Sequence, residues 1–329
     1  MAQWKRFAAF ACCLFIVALA GCGSRHDADE KYFLVSANIK VPYWQNAGAG
    51  FMHAAEQMRV KAEFVGPDTY DPQAQQQEFH RILGQKPTGI LVSPATADLM
   101  KPEIDAAIAA GVPVITIDSD ARDSKRLFFI GTNNYQAGLM GGKVAAERLK
   151  GRGSVVVFTM PGQSNLEERL RGYREAFSGS QVKIDRVVDI KGDPRIAFDT
   201  TTQIVGDKKD KIDGFICLEA LAGKEVANVL DRYKISGKLI VAMDTDSETL
   251  DWIRKGVIAA TIAQKPYTMA AFGLRILDSL YHDRVPSVQA DWAHDSFSPL
   301  PAFVDTGATL IDKSNLDAFE AAQKSATKK

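Results

Sequence analysis

Two acids stand where apolar runs stop. Val114-Ile115-Thr116-Ile117 ends at Asp118, and Leu239-Ile240-Val241-Ala242-Met243 ends at Asp244. Short apolar runs of this kind are the pattern of strands buried on both faces of a parallel sheet. In open α/β sheets, ligands sit beyond the carboxyl ends of the strands. A carboxylate there accepts hydrogen bonds from two neighbouring hydroxyls, the pattern a sugar presents, and each such bond contributes roughly 1.5–3 kcal/mol. The same acid can instead cap the helix that follows. Both readings stand for either acid taken alone.

Other polar groups fall at comparable places. Glu219 follows the apolar run Gly214 to Leu218 and is placed to bind a ligand, cap a helix, or both. Arg169 lies one turn into a helix that starts beyond the strand Gly153 to Phe158. It either enters a cleft or pairs with Glu167 or Glu168 on a solvated face. Tyr43 and Trp44 follow Pro42 at a helix start, as packing staples or as faces for a sugar ring. Asn133 follows Ile130-Gly131-Thr132 and serves either turn chemistry or a hydroxyl contact. Asn165, closing the loop from Met160, either caps the helix that follows or faces the cleft, and the cap is the favoured reading.

Catalytic and metal motifs are scarce. The five histidines, His26, His53, His80, His282 and His294, show no metal-ligand spacing, so no metal site and no cofactor are expected. No Gly-x-Ser-x-Gly elbow occurs. Gly138 to Lys143 lacks P-loop spacing and reads as close helix packing, and Cys217 reads as an inert core residue. Lys+Arg and Asp+Glu are 40 each, so no basic field argues for nucleic acid.

The elements that must position these residues alternate strand with helix at roughly 25–30 residues per unit, the mark of a parallel α/β sheet. Strands are expected near Tyr32–Ser36, Ala62–Val65, Gly89–Ser93 and Val114–Ile117, and the rhythm repeats from Tyr135 to Asp244. Asp71-Pro72 starts a helix that Gly84 stops. A single core stops growing at about 250–300 residues, so 329 residues fit two doubly wound lobes better than one sheet. The division expected is lobe 1 from 32–133 plus 265–292, lobe 2 from 134–264 plus 293–315, and a C-terminal helix and tail at 316–329. Three crossings join the lobes, near Asn133, near Gln264 and at about Asp291 to Ser298.

The N-terminus reads as a leader. Lys5 and Arg6 precede an apolar run from Phe7 to Ala20, too short for a bilayer span of about 20 residues. It ends Leu19-Ala20-Gly21-Cys22, which resembles a bacterial lipobox with Cys22 as the lipidated residue. Residues 22–31 then form a flexible tether, and the folded chain sits in the periplasm or at the cell surface, anchored to a membrane.

Taken together, the chain from Tyr32 to Asn315 resembles the periplasmic sugar-binding proteins of the ribose-binding type, whose fold is shared with lac-repressor-type effector domains. Pro42-Tyr43-Trp44 matches the family's Pro-aromatic-aromatic opening, and Asp118 its hydroxyl-chelating acid. Arg169, with Gly172 and Tyr173, matches a cleft arginine, and Asp244 the second-lobe acid. Thr261-Ile262-Ala263-Gln264 matches the hinge sequence whose glutamine touches ligand. The resemblance implies a monomeric, non-enzymatic receptor that closes on a monosaccharide and delivers it to an ABC-type permease. A sensor for a histidine kinase or chemoreceptor, and a hydrolase using Asp118, Glu219 or Asp244 as base, are the rival readings. Three departures point away from ribose itself: Val41 where the pattern has asparagine, Ser119-Asp120 where an arginine follows the acid, and Leu218-Glu219 where it has Asn-Asp.

Overall fold

The computed structural model describes residues 26–27, 29–208, 211–283 and 287–326, so the leader and Cys22 lie outside the described residues. Among the described residues, twelve strands form two six-stranded sheets. The first holds β1 (Lys31–Val35), β2 (Lys61–Val65), β3 (Gly89–Val92), β4 (Val114–Ile117), β5 (Phe129–Gly131) and β11 (Phe303–Asp305) in the order β2-β1-β3-β4-β5-β11. The second holds β6 (Arg152–Thr159), β7 (Gln181–Asp189), β8 (Gly214–Cys217), β9 (Leu239–Met243), β10 (Ala260–Ala263) and β12 (Thr309–Asp312) in the order β7-β6-β8-β9-β10-β12. Five strands of each sheet repeat one doubly wound order, with every pair among them parallel. The sixth strand differs: β11 runs parallel to β5, and β12 antiparallel to β10.

Helices α1 (Pro42–Met58), α2 (Pro72–Leu83), α3 (Ala97–Ala109) and α9 (Pro266–His282) cover the first sheet. Helices α4 (Asn134–Arg148), α5 (Ser164–Phe177), α6 (Pro194–Lys208), α7 (Ala222–Arg232), α8 (Ser247–Arg254) and α10 (Leu316–Ala326) belong with the second. Their starts follow local chemistry. Pro42 and Pro72 supply the fixed φ of a first helical turn, and the Asp71 side chain accepts from the Ala74 N–H at 2.9 Å. The central strands are wholly buried, which is why they read as unbroken apolar runs.

Two boundaries differ from the sequence expectation. The third crossing is not at Asp291–Ser298 but at Thr306–Ala308, between β11 and β12. Trp292 and Leu300 pack against the first lobe's core, so the Pro-rich return stays on that lobe until β11 has paired. The tether also ends earlier than residue 31. Lys31 opens β1, and Glu30 is 3% exposed, held by His26, His282 and the Asp27 N–H. Among the described residues no helix is long and apolar enough to cross a membrane.

Candidate functional site

The two strand-end acids occupy equivalent positions in the two lobes. Asp118 has φ 64° and Asp244 φ 69°, in the left-handed region that few residues other than glycine enter. Each N–H donates to the same place on the neighbouring strand, Asp118 to the Ile130 carbonyl at 3.1 Å and Asp244 to the Ile262 carbonyl at 2.9 Å. The sharp exit from the sheet aims each carboxylate into the space between the lobes. Neither acid caps a helix; Asp246, not Asp244, caps α8.

Side chains from both lobes converge there. The Tyr43 hydroxyl donates to Asp118 Oδ1 at 2.8 Å, and Asn165 Nδ2, from the other lobe, donates to Asp118 Oδ2 at 3.0 Å. Arg169 lies on α5 at the centre, 2% exposed. Its Nε donates to Asn134 Oδ1 at 2.9 Å, one terminal nitrogen to the Leu218 carbonyl at 2.7 Å, and the other to Gln264 Oε1 at 2.8 Å. Gln264 Nε2 then donates to Asp244 Oδ1 at 3.0 Å. Trp44 meets Tyr43 edge to face, with ring centroids 5.2 Å apart. Both rings line a cleft of about 530 Å³, counted out to its mouth, together with Asp118, Arg169, Glu219, Asp244 and Gln264.

Two sequence readings change. Asn133 does not line this cleft: its side chain caps α4, accepting from the Gln136 N–H at 3.1 Å. Its neighbour Asn134 is the one that meets Arg169. Asn165 does line the cleft, while Gln163 holds the cap position of α5. The signal was available, because Asn165 and Arg169 are four apart and share one helix face. Glu219, just before α7, accepts from the Leu221 N–H at 2.5 Å and the Ala222 N–H at 2.9 Å, where that helix starts, and also borders the cleft. Asp120 is taken up by a buried ion pair with Arg126, whose terminal nitrogen lies 2.7 Å from Oδ2.

The electrostatics are lopsided, with three buried carboxylates around one guanidinium. Burial is the largest influence on each carboxylate and pushes Asp244 and Glu219 up to about 7. Asp118 is raised too, against the opposing pull of Arg169, Tyr43, Asn165 and Ser93. Burial also drives the Tyr43 phenol and the Cys217 thiol well above their ordinary values. The cleft therefore presents carboxylate acceptors and amide, guanidinium and phenol donors, walled by two aromatic rings.

Arg169 reaches the centre because α4 and α5 pack backbone to backbone. A Cβ on Gly138 would run into the Arg169 carbonyl, and one on Gly172 into the Tyr135 carbonyl. Gly138→Ala is expected to cost about 1–3 kcal/mol of stability and to weaken ligand binding by displacing Arg169. Gly206→Ala, where no atom lies within 4 Å, should do neither. Denaturant melts of the two variants check this, and equal behaviour would separate Arg169 placement from the glycine crossing.

Two doubly wound lobes, three crossings between them and a buried polar cleft at the strand ends define a protein that traps a small solute between its lobes. The described "Periplasmic binding protein domain" matches residues 32–282, and the chain belongs to the periplasmic binding protein family. It is 24% identical to the D-allose-binding periplasmic protein of Escherichia coli over 76% of this chain and 84% of the other. It is 23% identical to the ribose import binding protein of Bacillus subtilis over 79% and 85%. Among solved structures it resembles AraP, an arabinose-binding protein from Geobacillus stearothermophilus, with 32% identity, a TM-score of 0.72 and coverage of 88% of this chain and 99% of that one.

Proposed function

We propose that this protein is an extracytoplasmic receptor that binds one monosaccharide between its lobes and delivers it to an ABC-type permease. The observation that carries this reading is the pair of equivalent buried acids, Asp118 held by Tyr43 and Asn165, and Asp244 held by Gln264, which Arg169 in turn engages. Paired acceptors and donors fit the alternating hydroxyls of a pyranose or furanose, and Tyr43 and Trp44 fit its apolar faces. Both lobes contribute contacts, so a ligand binds the closed form more tightly than the open one and shifts the population toward it. The relatives whose names specify allose, ribose and arabinose support a pentose or hexose.

A lipid on Cys22 would hold the receptor at a membrane face, beside the permease it serves. The protein acts as a monomer and leaves its sugar unchanged. Each carboxylate that a hydrolase would use as base is already engaged: Glu219 by two backbone N–H groups, Asp118 by Tyr43 and Asn165, Asp244 by Gln264.

A thermal-shift screen against pentoses, hexoses, deoxy sugars and polyols tests the reading. At a sugar concentration a hundred times Kd, stabilisation is about 2.7 kcal/mol, and the sugar should be recovered intact afterwards. No stabilisation by any saccharide, or recovery of a cleaved or isomerised product, would count against it.

A further inference from the structure

Far from the cleft, where the chain enters lobe 1, four ligating side chains meet. They come as two i,i+4 pairs: His26 and Glu30 ahead of β1, and Asp278 and His282 in the last turns of α9. His26 Nδ1 lies 2.9 Å from Glu30 Oε2 and 3.2 Å from Asp278 Oδ1. His282 Nε2 lies 3.2 Å from Glu30 Oε2 and 3.5 Å from Asp278 Oδ1. All four ligand atoms fall within 4.8 Å of one another.

We propose that this cluster is a structural zinc-class site that clamps the N-terminal segment to α9. Zinc bonds to imidazole nitrogen and carboxylate oxygen are about 2.0–2.2 Å, so a tetrahedron of such ligands sets its atoms roughly 3.4 Å apart. The four nitrogen–oxygen separations here already bracket that spacing. Two imidazoles with two carboxylates select zinc and its transition-metal neighbours over calcium or magnesium, which prefer all-oxygen shells.

Burial favours the same reading. Glu30 is 3% and Asp278 6% exposed, so two carboxylates side by side need a counter-charge. A divalent ion supplies it. Outer partners fix the carboxylates as metal sites require. The Tyr32 hydroxyl donates to Asp278 Oδ1 at 3.2 Å, and the Asp27 N–H donates to Glu30 Oε1 at 2.8 Å, turning Oε2 toward the imidazoles. Spacing along the chain gave no hint of this site, because Glu30 and His282 are 252 residues apart.

The clamp shortens the tether. Only three residues lie between Cys22 and His26, and the four peptide steps, fully extended, span at most about 14 Å. On the lipid-anchor reading proposed above, lobe 1 is then held against the membrane face rather than swinging on ten loose residues.

The test uses the whole purified protein in detergent, stripped with chelator and freed of any affinity tag. Titrated zinc should bind at one equivalent and raise the melting temperature by at least about 5 °C at saturation. Cobalt should give the intense visible absorption of a four-coordinate site. Magnesium and calcium should do nothing. His26→Gln, which leaves α9 intact, and His282→Gln should each abolish the stoichiometric binding, with the sugar-induced thermal shift unchanged. Failure of zinc to bind at one equivalent, the same response in His26→Gln, or an equal shift with calcium would each overturn the proposal. Because the readout is zinc binding, it stands or falls independently of the sugar and lipid readings.

Discussion

Replacing Arg169 by Met should abolish sugar binding and cost about 3–5 kcal/mol of stability, the range for stripping one partner from a buried charge cluster. Arg169 faces Asp118, Asp244 and Glu219, and its positive charge favours the ionised form of all three. Methionine fills a similar volume but leaves the carboxylates with no buried cation, and it breaks the bonds to Asn134, Leu218 and Gln264 that hold the lobe-2 wall together. The loss should depend on pH. Without the guanidinium, the carboxylates rise further above their ordinary values, and acids raised by folding destabilise the fold as pH climbs past those values. The variant should therefore be closer to the parent at pH 5 than at pH 8. Denaturant melts at both values check this; an equal loss at the two would mean that Arg169 acts through packing alone.

Asp244→Asn should move stability and affinity in opposite directions. Burial lifts the Asp244 carboxyl from 3.8 to about 7. A folded value above the unfolded one means that the closed protein takes up a proton the unfolded chain has released. Stability is then highest below about 4, falls as pH rises, and reaches its full penalty above about 7. That penalty is about 4 kcal/mol at most, and opening of the lobes, which rehydrates the carboxylate, reduces what a melt records. Asparagine keeps the shape and a bond to Gln264 but carries no charge. The ligand-free variant should melt above the parent at pH 8, by less at pH 5, and match it below about pH 4. Its sugar affinity should fall roughly ten- to a hundredfold, the worth of one or two charge-assisted bonds. A variant that is both less stable at pH 8 and undiminished in binding would remove Asp244 from the site. The binding site is thus a place where stability is given up for recognition.

Much of this was legible in the chain. Buried parallel strands read as continuous apolar runs, so β1, β3, β4, β6, β8 and β9 announce themselves, and the acids that end β4 and β9 follow from them. Short or edge strands do not: β5 has three residues and β12 is only partly buried, so neither carries a run long enough to see. The third crossing was misplaced because Trp292 and Leu300 look like linker residues until lobe 1 is there to cover them. Asn165 was read as a cap because caps and cleft-facing asparagines share the same place at a helix start. Groups brought together only by the tertiary fold, above all Glu30 with His282, leave no local trace at all.

The central claim is that one sugar ring is held between Asp118 and Asp244 by both lobes at once. A crystal structure of the protein with the saccharide that most stabilises it tests this most directly. The account predicts one ring against Tyr43 and Trp44, hydroxyls on the carboxylates of Asp118 and Asp244, and Arg169 and Asn165 of the second lobe in contact with it. A sugar bound to one lobe alone, or seated elsewhere beside the Asp120–Arg126 pair, would contradict it.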